Sequence, residues 1–205
     1  MPLEIMIGGG DVILKTEHGD AYLVGSQVLC AVSPVFRAMF GRNSGFSEAI
    51  NVRRANILGY PPAVINVDDD PFALGLILKV LHHRNDLLPD EITFKQLTST
   101  AEVSNKYEVI RPLKQTIDRL SKQKQLDETV YEDGYEDWIL ISYIFGYEDI
   151  FLRATENVIL NGGMSRGELR VGGWFLNKTL SSSTPPAVIG MPHHASINTP
   201  MHVGY

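Results

Sequence analysis

The stretch that decides the fold is DVILKTEHGDAYLVGSQVLCAVSPVFRAMFG, residues 11–41. Residues 12–14 are apolar and mostly β-branched, and residues 21–24 form a second apolar run. His18, Gly19 and Asp20 lie between the two runs and are typical turn-forming residues. This pattern predicts two short strands joined by a tight turn.

A helix start follows directly at Ser33-Pro34. The serine hydroxyl can accept a hydrogen bond from a free backbone amide of the first turn, and proline fits the first helical position because it needs no N–H there. Gly41 is expected to end this helix in a left-handed conformation. The apolar residues between these two ends recur at helical spacing: Val35, Phe36, Met39 and Phe40.

The run AYLVGSQVLCAVSPVFRAMF, residues 21–40, resembles the BTB/POZ domain in the stand-alone form found in filamentous fungi. The eight residues SPVFRAMF, 33–40, are the most specific part of the match, and Asp11-Val12 resembles the opening of the first strand in that family. Further matches are the Asp70-Pro71 helix cap and the SNKYEV segment, residues 104–109. The chain departs from the family at Gly25, where a histidine is usual.

The resemblance implies an α/β (α+β) fold, with a short three-stranded sheet capped by a cluster of helices and a C-terminal helical pair. The expected organisation is a flexible N-terminus (1–10), a BTB/POZ domain (11–125), an acidic linker (126–137), a helical extension packed on the domain (138–163) and a disordered tail (164–205). Residues 42–64 show no clear period and are expected to form a long loop.

Two partner-binding faces are implied by the resemblance. The first is a dimer face, through which the chain would bind itself or other BTB proteins. Its expected residues are Asp11, Val12, Leu14, Gly25, Val28 and Leu29.

The second face would take a cullin scaffold. Phe46-Ser47-Glu48 resembles the apolar-x-acidic triplet of BTB proteins that recruit cullin ubiquitin ligases, and Tyr107 belongs to the helix expected beside it. The alternative is that Phe46 folds back onto the core while Glu48 is merely solvated.

Length and composition limit the function classes. With 205 residues, 44% of them hydrophobic, the chain is long enough for one folded domain with appendages. The formal charge of −6 disfavours a nucleic-acid surface. No apolar run approaches the roughly 18 residues of a membrane span, and the one cysteine, Cys30, is typical of a reducing compartment. We therefore expect a soluble cytoplasmic or nuclear protein with no nucleic-acid or membrane partner.

Acidic and histidine clusters raise the question of a metal. Asp68-Asp69-Asp70 precedes Pro71, and the pattern favours a helix cap by Asp70, with the other two acids near the positive end of the helix dipole. His82 and His83 lie at a helix end, without Cys or His partners at ligand spacing. No metal or cofactor is expected.

Residues for catalysis are not evident in the sequence. Cys30 lies among apolar neighbours, where a thiol has a raised pKa and is inert, and no nucleophile elbow or phosphate-binding glycine loop follows a strand. We interpret the chain as a protein-interaction module and not an enzyme, with the role of a cullin adaptor implied by the resemblance. The alternative is a structural oligomerisation protein with no link to a ligase.

Overall fold

The computed structural model of the chain describes residues 3–121, 135–161, 163–165, 168–171 and 174–175. In these ranges the chain forms a four-stranded sheet, a small three-stranded sheet and eight α-helices, so the fold is mixed α/β. None of the described helices is long and apolar enough to cross a bilayer.

The main sheet has the strand order β1-β3-β2-β4, so β2 lies in its interior. Strands β2 and β3 form the predicted antiparallel hairpin, and Gly19 in its turn has a positive φ of 93°. Strand β1 is parallel to β3, and β4 is parallel to β2. The strands are β1 (Leu3–Ile5), β2 (Val12–Thr16), β3 (Ala21–Val24) and β4 (Ala63–Val67).

The expected three-stranded sheet is therefore corrected to four strands. The additional strand, β1, lies in the range 1–10 that the sequence assigns to a flexible N-terminus. Met6, just after it, is buried and donates its N–H to the carbonyl of Leu23 at 3.0 Å. A three-residue strand has too little pattern of its own to be recognised, and its pairing with β3 is what fixes it.

Two short helices follow the hairpin, α1 (Ser26–Val32) and α2 (Pro34–Phe40). The predicted cap of α2 is confirmed, because the Ser33 hydroxyl accepts a hydrogen bond from the N–H of Phe36 at 3.0 Å. The left-handed conformation predicted for Gly41 is wrong, since its φ is −57°. Glycine is still required there, because a Cβ would collide with the carbonyl oxygen of Arg37.

The loop expected over residues 42–64 contains a twelve-residue helix, α3 (Ser47–Leu58). Its inner face is built from Ala49, Val52 and Ala55, which are small or β-branched and three residues apart. Isoleucines on the outer face blur the contrast between apolar and polar sides, which is why no period is visible in the sequence. Gly59 ends the helix at a φ of 66°.

Helices α4 (Pro71–Leu81), α5 (Phe94–Lys106) and α6 (Ile110–Leu120) surround the core. The predicted Asp70 cap of α4 is confirmed, with a hydrogen bond from the N–H of Ala73 at 2.9 Å. Thr93 caps α5, and Gln96 completes the capping box. Most of α4 is buried, as its apolar sequence predicts.

The C-terminal helices α7 (Tyr135–Phe145) and α8 (Glu148–Asn161) pack on this core. The buried Trp138 lies 5.0 Å from the ring of Phe94, and Lys114 Nζ lies 3.9 Å from the ring centroid of Tyr147. Residues 126–134 of the predicted acidic linker lie outside the described residues. Its last three residues, 135–137, belong to α7.

Short strands are present in the range assigned to a disordered tail. They pair as an antiparallel sheet in the order β5-β6-β7, with bounds β5 (Gly163–Ser165), β6 (Glu168–Val171) and β7 (Trp174–Phe175). For these described residues the structure differs from the predicted absence of order. The remainder of the range 164–205 lies outside the described residues.

A polar cluster joins the start of α4 to the end of α5. The buried Asp69 carboxylate accepts hydrogen bonds from Lys106 Nζ at 2.7 Å and from the Tyr107 hydroxyl at 2.6 Å. Lys106 also pairs with Asp68 at 2.9 Å. Burial is the largest cause that raises the pKa of Tyr107, and the hydrogen bond to Asp69 raises it further. The hydroxyl therefore keeps its proton and donates a hydrogen bond to Asp69. Asp68 and Asp69 therefore bind the end of α5, a role beyond the predicted interaction with the dipole of α4.

Replacing Tyr107 with Phe should destabilise the fold by about 1.5–3 kcal/mol, because the buried Asp69 carboxylate loses a hydrogen bond of the kind made to charged groups. The measurement is the free energy of unfolding in urea. Tyr143→Phe is the matched control, since Tyr143 is half-exposed on α7 and its change should stay within about 0.5 kcal/mol. Equal losses for both variants would contradict this role of Asp69.

Candidate protein-interaction surfaces

The expected dimer face is largely buried. Val12 and Leu14 lie on the interior strand β2 and point into the core, and Leu29 of α1 lies in the same core, all three without exposed area. Their side chains are thus not available to a partner. This corrects the sequence-based assignment, because Val12 and Leu14 are on the face of β2 that is turned toward the core, whereas Ile13 and Lys15 are on the opposite face.

Asp11, another expected dimer residue, is engaged within the chain. Its carboxylate accepts hydrogen bonds from the N–H and the hydroxyl of Ser26 at 2.7 and 2.6 Å, and from the Asn56 side chain at 3.1 Å. Burial raises the pKa of this carboxyl, but the hydrogen bonds from Ser26 and Asn56 outweigh it and the net shift is downward. Asp11, the residue before β2, therefore caps the first turn of α1 and ties it to α3.

Gly25 is held by His82, at the end of α4. The Gly25 N–H donates to His82 Nε2 at 3.1 Å, so Nε2 carries no proton. His82 Nδ1 then carries the proton and donates to the carbonyl of Leu78 at 2.9 Å. A Cβ on Gly25 would make ordinary contacts with Val28 and Ile7. Gly25 and Val28 are partly exposed. Among the expected dimer residues, these two are neither buried in the core nor, like Asp11, held by hydrogen bonds of a charged side chain.

The expected cullin-like face divides in the same way. Phe46 is 61% exposed at the start of α3, and Glu48 is partly exposed beside it, accepting a hydrogen bond from the Ser47 hydroxyl. Phe46 does not fold back onto the core. Tyr107, however, is buried, with its ring stacked 4.2 Å from Phe36. Tyr107 is a core residue, and its assignment to this face is corrected.

An apolar stripe along the outer side of α3 was not found from the sequence. It consists of Phe46, Ile50 and Ile57, which are four and seven residues apart and therefore lie on one side of the helix. Ile57 is 81% exposed, the highest value among the large exposed apolar residues. The spacing of these residues was a usable signal, but it is only meaningful once the segment is known to be helical. We call these three residues the α3 stripe.

A cleft of about 760 Å³ lies between α1, α2 and α3. Two of its arginines are committed to structure. Arg37 donates to the carbonyls of Cys30 and Ala31 at the end of α1, and Arg53 donates to carbonyls in the loop after α2. Burial raises the pKa of the Cys30 thiol, as predicted, although nearby Arg37 lowers it in part. The arginines therefore satisfy helix ends, and the thiol is poorly suited to act as a nucleophile.

The acids and histidines considered as metal ligands have other partners. Asp70 caps α4, Asp68 and Asp69 bind Lys106, and His82 bridges Leu78 and Gly25. Among the described residues there is no group of three or more acidic, histidine or cysteine side chains that could hold a metal ion.

The His82 bridge predicts a pH dependence of stability. Burial lowers the pKa of His82, outweighing the hydrogen bond to Leu78, which raises it. Because the unfolded chain then binds a proton at higher pH than the folded chain does, the contribution is present above the unfolded pKa of about 6.5 and is lost as pH falls from there through the lower pKa of the folded chain. The free energy of unfolding should decrease from neutral to mildly acidic pH, and less so in His82→Gln.

His83→Asn is the control for this measurement, because asparagine tolerates the positive φ of 57° at that position. It should keep most of the pH dependence of the unmodified chain, because burial is the main cause of the lowered pKa of His82 and the charge of His83 only adds to it. The assignment fails if His83→Asn reduces the pH dependence as much as His82→Gln does.

The two expected faces therefore differ in exposure. One is mostly core, and the other retains an exposed phenylalanine and a neighbouring glutamate that lead into the α3 stripe. No protein-family model matches the chain, and no curated protein is significantly similar to it.

Proposed function

We propose that this chain is a protein-interaction module of the BTB/POZ type that associates with itself or with related chains and serves as an adaptor for a cullin-type ubiquitin ligase. The observation that carries the adaptor part is the exposed Phe46 at the start of α3, with Glu48 beside it. Large exposed aromatic side chains are common anchors of protein interfaces.

The surroundings of Phe46 support a binding role. Ile50 and Ile57 add exposed apolar surface along the α3 stripe, on either side of Arg53, and helices that present such anchors commonly lie in an apolar groove of a partner. Glu48 adds one negative charge at the end of the stripe. The partner chemistry that fits is an apolar groove with a basic residue at the end that receives Glu48.

The motif-bearing segments also adopt regular local structure. Residues 33–40 of the resemblance supply the Ser33 cap and helix α2, and Asp11-Val12 opens the interior strand. The BTB/POZ proposal expects a strand after Asp11 and a helix after Ser33, and these local features are compatible with it.

An oligomerisation protein without a ligase link is the second candidate. It is favoured by exposed aliphatic side chains that lie away from Phe46, on the main sheet. Cullin binding by an adaptor requires Phe46 and Glu48, whereas self-association through the sheet requires neither residue.

The combined variant Phe46→Ala, Glu48→Ala should lower the affinity for a cullin N-terminal region by about 30-fold or more, as expected for loss of an interface anchor worth about 2 kcal/mol. Titration calorimetry or a pull-down with purified cullin measures this. Phe46 is exposed, so the variant should fold normally.

Leu152→Ala is the matched control, because Leu152 is 65% exposed but lies on α8. It should leave cullin binding unchanged. Failure of the unmodified chain to bind any cullin, or unchanged binding by the double variant, would reject the adaptor proposal and favour the oligomerisation protein.

A further inference from the structure

One face of the main sheet carries aliphatic side chains and is not covered by any described helix. The strand register aligns Ile5 with Leu23, Leu23 with Ile13, and Ile13 with Val64, so these four residues form one apolar row across all four strands. Side chains two residues apart on a strand point to the same side, so the next row on this face lies two residues away on each strand. This row is mixed in polarity. It consists of Leu3, Ala21, Lys15 and Asn66.

The opposite face of the sheet lies against the core. Tyr22, Leu14 and Ile65 are aligned by the same register and are all nearly or fully buried. On the other side the two outer residues of the row are open, since Ile5 is 51% and Val64 is 57% exposed. Leu23 and Ile13 between them are partly exposed, and Gly10 lies close to the Leu23 side chain. The eight residues of the apolar and mixed rows are called the open face below.

The open face is nearly uncharged. Lys15 is its one ionisable side chain, and five of its eight residues are larger aliphatics. A strongly acidic or basic partner would find no row of opposite charges here. A flat aliphatic surface is instead complementary to another flat sheet, because sheets pack face to face about 10 Å apart with interdigitated side chains.

A second copy of this chain supplies such a surface. With a two-fold axis parallel to the apolar row, that row lies over its own counterpart, and the contact is self-complementary. The two mixed rows then fall on opposite sides of the axis. The two Lys15 side chains are separated accordingly, and both can reach solvent at the rim of the contact.

The size of the open face limits how tightly it can bind. Four strands about 4.8 Å apart and about five residues long, at roughly 3.3 Å per residue, cover on the order of 300 Å² of plane. Stable interfaces bury about 800 Å² of accessible surface per partner. The face therefore fits a reversible dimer that forms at high protein concentration and not an obligate one.

We propose that the open face is the self-association surface of this chain and that its occupant is the open face of a second copy. The inference rests on the self-associating part of the function proposed above and replaces the largely buried dimer face expected from the sequence. It does not involve Phe46 or Glu48, so cullin binding and self-association are separable.

The test is sedimentation velocity of the full chain from low micromolar to several hundred micromolar, at low and high salt. The unmodified chain should pass from monomer to dimer with little dependence on salt, because the contact is apolar. Val64→Lys and, separately, Ile5→Lys should weaken the dimer at least about tenfold, since the two-fold axis along the apolar row places each new ammonium opposite the same ammonium of the second copy. Both positions are more than half exposed, so the monomers should remain folded.

Leu152→Lys is the matched control and should dimerise like the unmodified chain. Circular dichroism melting of each variant tests whether folding is retained. A dimer that neither sheet variant weakens would overturn this inference while leaving self-association intact. A monomer at every concentration would overturn both this inference and the proposed self-association. In that monomer, protection of Ile5 and Val64 from radical footprinting would show that another segment of the chain occupies the open face.

Discussion

The hydroxyl of Ser33 makes two buried hydrogen bonds on which the helical core depends. It accepts from the N–H of Phe36, which starts α2, and donates to the carbonyl of Tyr107 at 2.6 Å, which ends α5. Tyr107 in turn stacks on Phe36 and donates its hydroxyl to Asp69 ahead of α4. Ser33 thus links α2 to the end of α5, and Tyr107 extends this link to the start of α4. A buried polar group of this kind stabilises only when all of its partners are present.

The sheet is fixed to this core through its own polar contacts. Asp11 caps α1 from the residue before β2, and His82 at the end of α4 accepts from Gly25 at the start of α1. Both side chains, an acid and a histidine of the kind common in functional sites, accept hydrogen bonds from backbone amides instead. These contacts tie the sheet to α1 and α4, while on its other face Ile5 and Val64 stay more than half exposed.

The two exposed surfaces, the α3 stripe and the open face, are suited to different interactions. The stripe is narrow and helical, with Glu48 at one end, which fits insertion into a groove of a different protein. The open face is flat and almost neutral, which fits a copy of itself. A chain with both surfaces could hold a scaffold through one and a second copy through the other without competition between the two.

The sequence by itself determined the features that local chemistry controls. These are the β2–β3 hairpin, the Ser33, Asp70 and Thr93 caps and the apolar helix α4, because each depends on residues a few positions apart. Only the tertiary structure decided that Leu3–Ile5 forms a strand, that residues 47–58 form a helix and that Tyr107 is buried while Phe46 is exposed. The physical reason is that pairing and burial depend on partners distant in the chain, whose positions no local pattern specifies.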